Sequence, residues 1–586
     1  MQVPDILLHA VNLERRTAAL VTTAACGVGA LLLLLRTASG RRAATEQIQR
    51  ARSRRSDNVQ QAEQAVLRYK QAHPSTDSDQ ILSLSLSELA KQLQDGSLSP
   101  DDVLYSYMEK ALATHNKLNC CTEILLDSFD QLKTLGSNKD GLLYGVPVSI
   151  KDNLSYQGHD CTLGMIANLD KPAPKDSVLV EVLKKQGAIP FVKTNLPQAQ
   201  LTYDCSNPIY GRTVNPHNAQ KTPGGSSGGE GALIGGGGSI LGIGTDIGGS
   251  IRIPSSFCGI CGFKPTSGRL SSQGSVSIFQ GQKSVLSSVG PMARDVDSLA
   301  LFMQALLCDH MFSLDPTVPP LPFNLQIYQS SKPLRIGYLE NDGYSHPSPS
   351  MARSIQEVKA LLEEAGHILV PYSPLKINYA VTELMIKGVL ADGATSILQK
   401  LKGGPLDPCL RPQVQMYSVP KWLKKTLSFL LKPFSPRIPA VLQALCGVGS
   451  VADLWEHHAA IEDYIRETVA EWRRCNIDVL LCPVFGPAYH LDRGKHTSAV
   501  SFTVLYNLLN FPAGVVPVST VTVEDEEELK HFKGNYQDTW DKRFKEAVTG
   551  AEGLPVGVQC VALPWQDELC LRFMKEVERL VKQNRK

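Results

Sequence analysis

Two serines, Ser226 and Ser250, stand 250 − 226 = 24 residues apart in a stretch where half of the residues from Gly224 to Gly249 are glycine. A serine hydroxyl attacks a carbonyl carbon once a neighbour takes its proton, which is the chemistry of acyl transfer. Glycine at this density suits neither a helix nor a strand, since each interior Gly costs roughly 0.5–1 kcal/mol relative to Ala. It suits a backbone that approaches a bound group and turns amide N–H groups onto it. No GK[ST] ending follows, and no G-x-G-x-x-G lies between a strand and a helix, so neither ordinary phosphate-binding turn is present.

The base for such a serine has two sources in the chain. Gly225-Ser226-Ser227-Gly228-Gly229 fits G-x-S-x-G, which would make Ser227 the nucleophile of an α/β-hydrolase esterase working with a histidine. The match is easily met in a Gly/Ser run, and only His217 lies near it. Upstream, Gly145 to Asn153 (GVPVSIKDN) reads as a short apolar strand ending in Lys151, whose ordinary role would be a solvated lysine at a strand end. Ser227 onward opens a helix, Ser239 to Thr245 reads as a buried strand, and Asp246 to Ser250 as a tight loop after it. Ser250 therefore falls on a strand-end loop. Asp246 and Arg252 flank that loop, either as an ion pair holding its shape or as a plain surface pair.

Around this core the chain alternates strands and helices. Leu86 to Ala90 begins a helix that Gly96 stops, and Ser99-Pro100-Asp101-Asp102 starts another with a capping serine, a first-turn proline and acids. From Gly141 onward, short apolar runs at Val148–Ile150, Ala188–Lys193, Leu334–Tyr338 and Val479–Pro483 alternate with helical stretches. That pattern predicts an α/β fold whose large sheet is mostly parallel and covered by helices. The length of 586 residues, 43% hydrophobic, supports a large core, and a net charge of +2 argues against a nucleic-acid partner. The 14 cysteines have no regular spacing and read as reduced cytosolic thiols. Cys258 and Cys261 have metal-ligand spacing but no second pair, so no metal is expected.

Two apolar stretches lie outside this alternation. Thr17 to Leu35 is nineteen residues without a charge, bounded by Arg15-Arg16 and Arg36, long enough to span a bilayer. Arg36, Arg41, Arg42, Arg50, Arg52, Arg54 and Arg55 outnumber the two arginines on the near side, which predicts that the bulk of the chain lies in the cytosol. Residues 1–36 thus read as a membrane anchor (span about 17–35) and 37–79 as a polar helical linker, before a domain over 80–586. Within that domain, about 413–447, Val419 to Pro439 (VPKWLKKTLSFLLKPFSPRIP) sets Trp422, Leu427 and Phe434 among lysines, as in a helix lying in a membrane interface. Pro319 to Pro322 is a short proline run, a rigid loop or an SH3-type ligand.

The run GGSSGGEGALIG, six residues, then GIGTDIGGSIRIP, resembles the amidase signature family. The resemblance implies a Ser–Ser–Lys triad in which Lys151, neutral, takes a proton from Ser226, Ser226 relays one from Ser250, and Ser250 attacks an amide carbonyl. The backbone N–H groups of Ile247, Gly248, Gly249 and Ser250 would hold the oxyanion. It also implies one large α/β unit, with helices on both faces of a twisted mixed sheet and no cofactor. The tether, the apolar basic insertion and the C-terminal GLPVGVQCVALPW from Gly553 are similar to the branch of that family that cleaves fatty-acid primary amides such as oleamide and N-acylethanolamines such as anandamide. That branch implies homodimers on intracellular membranes, such as the endoplasmic reticulum, with membrane lipids and a lipid amide as partners. Gln200 and Leu201 stand where that branch carries a Met–Phe pair, so Gln200 is expected to contact substrate through its backbone only. Another family member acting on a small polar amide, or an inactive membrane scaffold, shares most of these features.

Overall fold

Helices begin and end where local chemistry predicts. Ser85 caps Leu86–Asp95 in a reciprocal capping box with Glu88, and Gly96 ends it at a φ of 84°. Ser99 caps Pro100–Leu118, with Asp101 and Asp102 in its first turn. The structure, a computed structural model, describes residues 39–40, 42–136, 139–433, 435–493 and 500–585. The anchor expected at 17–35 and Phe434 lie outside them. Among the described residues no helix is long and apolar enough to cross a membrane.

The strands are β1 (Cys121–Ile124), β2 (Pro147–Lys151), β3 (Ile189–Thr194), β4 (Ser206–Asn207), β5 (Gly211–Arg212), β6 (Leu241–Asp246), β7 (Cys261–Lys264), β8 (Ser288–Ala293), β9 (Arg335–Tyr338), β10 (Ile368–Pro371), β11 (Val479–Pro483), β12 (Ala513–Thr520) and β13 (Pro555–Val561). Apart from the β4–β5 pair they form one 11-stranded sheet in the order β1-β3-β2-β6-β8-β7-β12-β13-β11-β9-β10. Strands β2, β3, β6, β7, β8, β11 and β13 are buried at every residue. Successive side chains of a strand point to opposite faces, so both faces of this sheet are covered.

The sheet is mixed, with a smaller parallel share than the alternation predicts. Parallel pairing holds for β3·β2, β2·β6, β11·β9 and β9·β10. The other six neighbour pairs are antiparallel. Helix Val178–Lys185 carries the chain from β2 to β3, which returns a strand in the same direction. Residues 265–287, between β7 and β8, contain no helix, and these two strands pair antiparallel. Helix–strand alternation reveals element types but not which strands become neighbours.

The linker forms a helix over 42–72 that is docked on the domain rather than free. Arg50 and Arg54 pair with Asp170, Arg54 also with Asp160, and Arg52 donates to the Ile209 carbonyl. Arginines counted toward membrane orientation are therefore also tied to protein acids. The Pro319–Pro322 run is held through the carbonyls of Leu321 and Pro322, both bonded by Arg269.

The insertion folds as helices Arg411–Ser418, Lys421–Leu431 and Arg437–Ala444. Lys424 and Ser428 face inward, the Lys424 ammonium donating to the carbonyls of Tyr417 and Leu445. Trp422, Phe429 and Leu430 face outward, 69%, 79% and 57% exposed. Leu427, expected on the outer face, is half-buried, because it adjoins the anchored Lys424–Ser428 side of the helix. Phe429 and Leu430 take its place.

Candidate active site

Strand β2 lies inside the sheet between β3 and β6 and is buried throughout, so the Lys151 side chain at its end has no route to water: it is 0% exposed. Its Nζ lies 2.8 Å from Ser226 Oγ and 2.9 Å from Thr245 Oγ1. Burial pushes the ammonium down from its ordinary 10.5 to about 7, against a partial pull upward from Asp246, Cys205, Glu230 and Asp152. Among the described residues no carboxylate lies within ion-pair distance of it. Glu230 is buried too, bonded by Ser149 at 2.6 Å and Thr194 at 2.8 Å, and burial pushes its carboxyl up to about 8. Burial thus favours its uncharged form and weakens its upward pull on Lys151.

Ser226 and Ser250 line one cleft, together with Asn153, Gln200, Ile247 and Phe279. Ser250 follows β6 through the loop 247–249, as the sequence predicts, and its hydroxyl has no hydrogen-bond partner among the described residues. Ser227, the other nucleophile in the sequence reading, is fully buried. Its Oγ lies 3.3 Å from the Thr245 N–H and 3.4 Å from the Thr245 carbonyl, which ties it to β6 rather than to the cleft.

The Ser250 loop is clamped. Arg252 meets Asp246 through two donors, Nε and Nη2, each at 3.0 Å, and both side chains are 0% exposed. This is the buried alternative, not the surface pair. Asn507 donates to Asp246, and Arg252 donates to the Thr503 carbonyl, Gln559 and Asn507. Although burial opposes it, the Arg252 guanidinium holds the Asp246 carboxyl well below the usual carboxylate range. Gly249 adopts a φ of 121°, and a Cβ there would meet Thr503 Oγ1 at 2.6 Å, so this position requires glycine. The Gly249 N–H donates to Asp246 Oδ1 at 2.7 Å. The amides left for a ligand at this loop are therefore those of Ile247, Gly248 and Ser250, one fewer than the sequence reading assigned. Gln200 reaches the cleft on backbone held at a φ of 62°.

Thr245, Thr503, Asn507 and Gln559 escape the sequence reading. The last three lie 251, 255 and 307 residues from Arg252, so no local motif could reveal them. Cys258 and Cys261 do not converge: one bonds the Pro223 carbonyl and the other Glu578. Replacing Arg252 with methionine is expected to lower folding stability by about 3–5 kcal/mol, because it strands a buried carboxylate. Urea unfolding measures this, and a loss under 1 kcal/mol would contradict the clamp.

The amidase family pattern matches residues 102–571. The chain is 51% identical to fatty-acid amide hydrolase 1 of Sus scrofa over 95% of its own length and 96% of that protein. It is 38% identical to fatty acid amide hydrolase 1 of Caenorhabditis elegans, covering 94% of this chain and 97% of the other. A solved fatty acid amide hydrolase superposes with a TM-score of 0.76 at 25% identity, over 92% of this chain and 95% of that one. With this fold, this cleft and these relatives, the chain is an amide-hydrolysing enzyme and belongs to the amidase signature family.

Proposed function

We propose that the protein is a membrane-bound serine amidase that hydrolyses fatty-acid amides, both N-acylethanolamines and primary amides, through Ser250, Ser226 and Lys151. The contact of 2.8 Å between a buried lysine and Ser226 carries this reading. As the neutral amine, Lys151 accepts the Ser226 proton while donating to Thr245, and Ser226 takes the proton of Ser250. Ser250 Oγ then bonds to the amide carbon, and the Ile247, Gly248 and Ser250 N–H groups face the developing oxyanion. The C–N bond breaks as the proton returns from Lys151 through Ser226 to the leaving nitrogen, giving amine and acyl-enzyme. Water repeats the sequence on the ester, releasing the fatty acid and freeing Ser250.

The lipid class is supported by one apolar cluster that runs from the cleft into the insertion. It contains Leu201 and Phe279 beside Leu410, Val414, Tyr417, Val441 and Leu445. An acyl chain lying along it gains about 0.8 kcal/mol per CH₂ withdrawn from water. Trp422, Phe429 and Leu430 face outward on the same insertion beside Lys421 and Lys425, as at a lipid surface. Such a surface on an intracellular membrane would deliver substrate without passage through water.

The test pairs a long-chain amide with a short soluble one, using the full chain and the variant Trp422→Glu with Phe429→Glu. The wild type is expected to favour the long-chain amide by at least about 100-fold in kcat/KM, as several buried methylenes imply. The variant should bind liposomes about tenfold more weakly while hydrolysing the short amide at the wild-type rate. Equal rates on both amides would replace the lipid reading with that of a small-amide amidase.

A further inference from the structure

Three donor atoms outside the cleft converge where the mechanism makes no use of them. His115 lies in the last turn of Pro100–Leu118, and the chain reverses at Asn119, at a φ of 52°, to place Cys120 and Cys121 beside it. One ligand atom from each of the three lies within 4.8 Å of the others, and all three residues are buried. The sulfurs are 3.8 Å apart. Two thiolates bound to a tetrahedral Zn²⁺ at about 2.3 Å are separated by about 3.8 Å, so this pair already has the spacing of two tetrahedral corners. His115 Nδ1 accepts from the Cys121 N–H at 3.1 Å, which fixes the ring beside the sulfurs.

A comparable group, Asp204, Cys409 and Asp492, is already served by a cation. The Arg212 guanidinium reaches Asp492 at 2.5 Å and the Cys409 sulfur at 3.1 Å. At His115, Cys120 and Cys121 the neighbouring guanidinium is Arg55, which instead donates to the Cys121 carbonyl and to Asn119. It leaves the sulfurs to one another and complements negative charge on them.

This cluster touches the catalytic turn through backbone. The Cys120 carbonyl accepts from the Asn195 N–H at 2.8 Å, and the Asn195 carbonyl accepts from the Gly229 N–H at 3.0 Å. A Cβ on Gly229 would lie 2.3 Å from the Asn195 nitrogen and 2.6 Å from the Cys120 oxygen. Gly229 sits in the first turn of the helix Gly228–Gly235, directly after Ser226 and Ser227. The packing has no slack, so a shift of Cys120 is passed to the serine turn.

We propose that His115, Cys120 and Cys121 form an inhibitory site for a soft divalent cation such as Zn²⁺ or Cd²⁺. Two thiols give up their protons to solvent and bind as thiolates, His115 gives the ion its Nδ1 lone pair in exchange for the bond from the Cys121 N–H, and water takes the fourth position. The cation's two positive charges are cancelled by the two thiolates. Closure of the ligands on the ion displaces the Cys120 carbonyl against Gly229 and slows hydrolysis.

The test uses the full chain in detergent, kept reduced by a phosphine, with Co²⁺ as a spectroscopic probe and Zn²⁺ as inhibitor. Wild type is expected to show a thiolate-to-cobalt charge-transfer band, to release two protons per ion, and to lose at least tenfold in the rate on a short soluble amide when Zn²⁺ is added. Cys121→Val should keep the metal-free rate, bind Co²⁺ about 100-fold more weakly and escape inhibition. His115→Gln serves as the second variant and should weaken binding by at least about tenfold. A wild type without the charge-transfer band, or Zn²⁺ inhibition unchanged in Cys121→Val, overturns the site. Binding without loss of rate overturns its inhibitory action. The cobalt band does not depend on which amide the enzyme prefers.

Discussion

Ser250→Ala is expected to abolish covalent labelling by a fluorophosphonate and to lower kcat by on the order of 10⁴–10⁶, the range seen when an acyl-transfer nucleophile is removed. Ser227→Ala is expected to label and turn over like wild type, with about 1 kcal/mol less stability from its lost bond to β6. The two serines are told apart by geometry. Ser250 lines the cleft and its hydroxyl is free among the described residues, whereas Ser227 is fully buried and bonded to the Thr245 backbone. The G-x-S-x-G match is thus met by a residue with a structural part. Labelling that survives Ser250→Ala, or is lost in Ser227→Ala, would exchange their roles and revive an esterase with a histidine base. That alternative has little to work with, since His217, the histidine nearest in sequence, bonds the Cys258 carbonyl at 2.9 Å.

Lys151→Met is expected to lower kcat by about 10²–10⁴, the usual contribution of a positioned base. The stronger discriminator is pH. Because only the neutral amine accepts a proton, wild-type kcat/KM should rise tenfold per pH unit below about 7 and level off above it. The variant should lack that limb. Stability has its own window. Folding lowers the Lys151 value from 10.5 to about 7, so between those pH values the unfolded chain holds a proton on this lysine that the folded chain lacks, and the contribution of Lys151 to stability rises with pH. Below about 7 both states are protonated and the full cost of burying the charge is present; Lys151→Met removes this contribution. Lys264 is also pushed down by burial, to about 7, but it donates to the Pro265 carbonyl and touches neither serine. Lys264→Met should therefore remove a contribution of the same sign from the stability profile while leaving the kinetic limb in place. A limb that persists in Lys151→Met would remove Lys151 as the base.

Much of this enzyme is written locally. The capping box at Ser85 and Glu88, the stop at Gly96, the strand ending in Lys151 and the strand–loop carrying Ser250 all follow from short-range backbone chemistry. The glycine-rich run with its two serines is specific enough to point to the family. The anchor at 17–35 is likewise a reading of sequence, as those residues lie outside the described structure.

Other features depend on which segments become neighbours. The number of parallel pairs in the sheet, the inward face of Lys424 and Ser428 that turns Phe429 and Leu430 outward in place of Leu427, and the docking of the helix over 42–72 all arise from packing between distant segments. The same holds for the Asp246–Arg252 clamp, whose partners Thr503, Asn507 and Gln559 come from the far end of the chain, and for the Asp246 bond that occupies the Gly249 amide. The sequence by itself determined which atoms are available for the reaction, because residue type sets what a side chain can donate, accept or attack with. Only the tertiary structure decided that the lysine amine is dry, unpaired with an acid among the described residues and within reach of Ser226, because desolvation and distance belong to the assembled core and to no single stretch of chain.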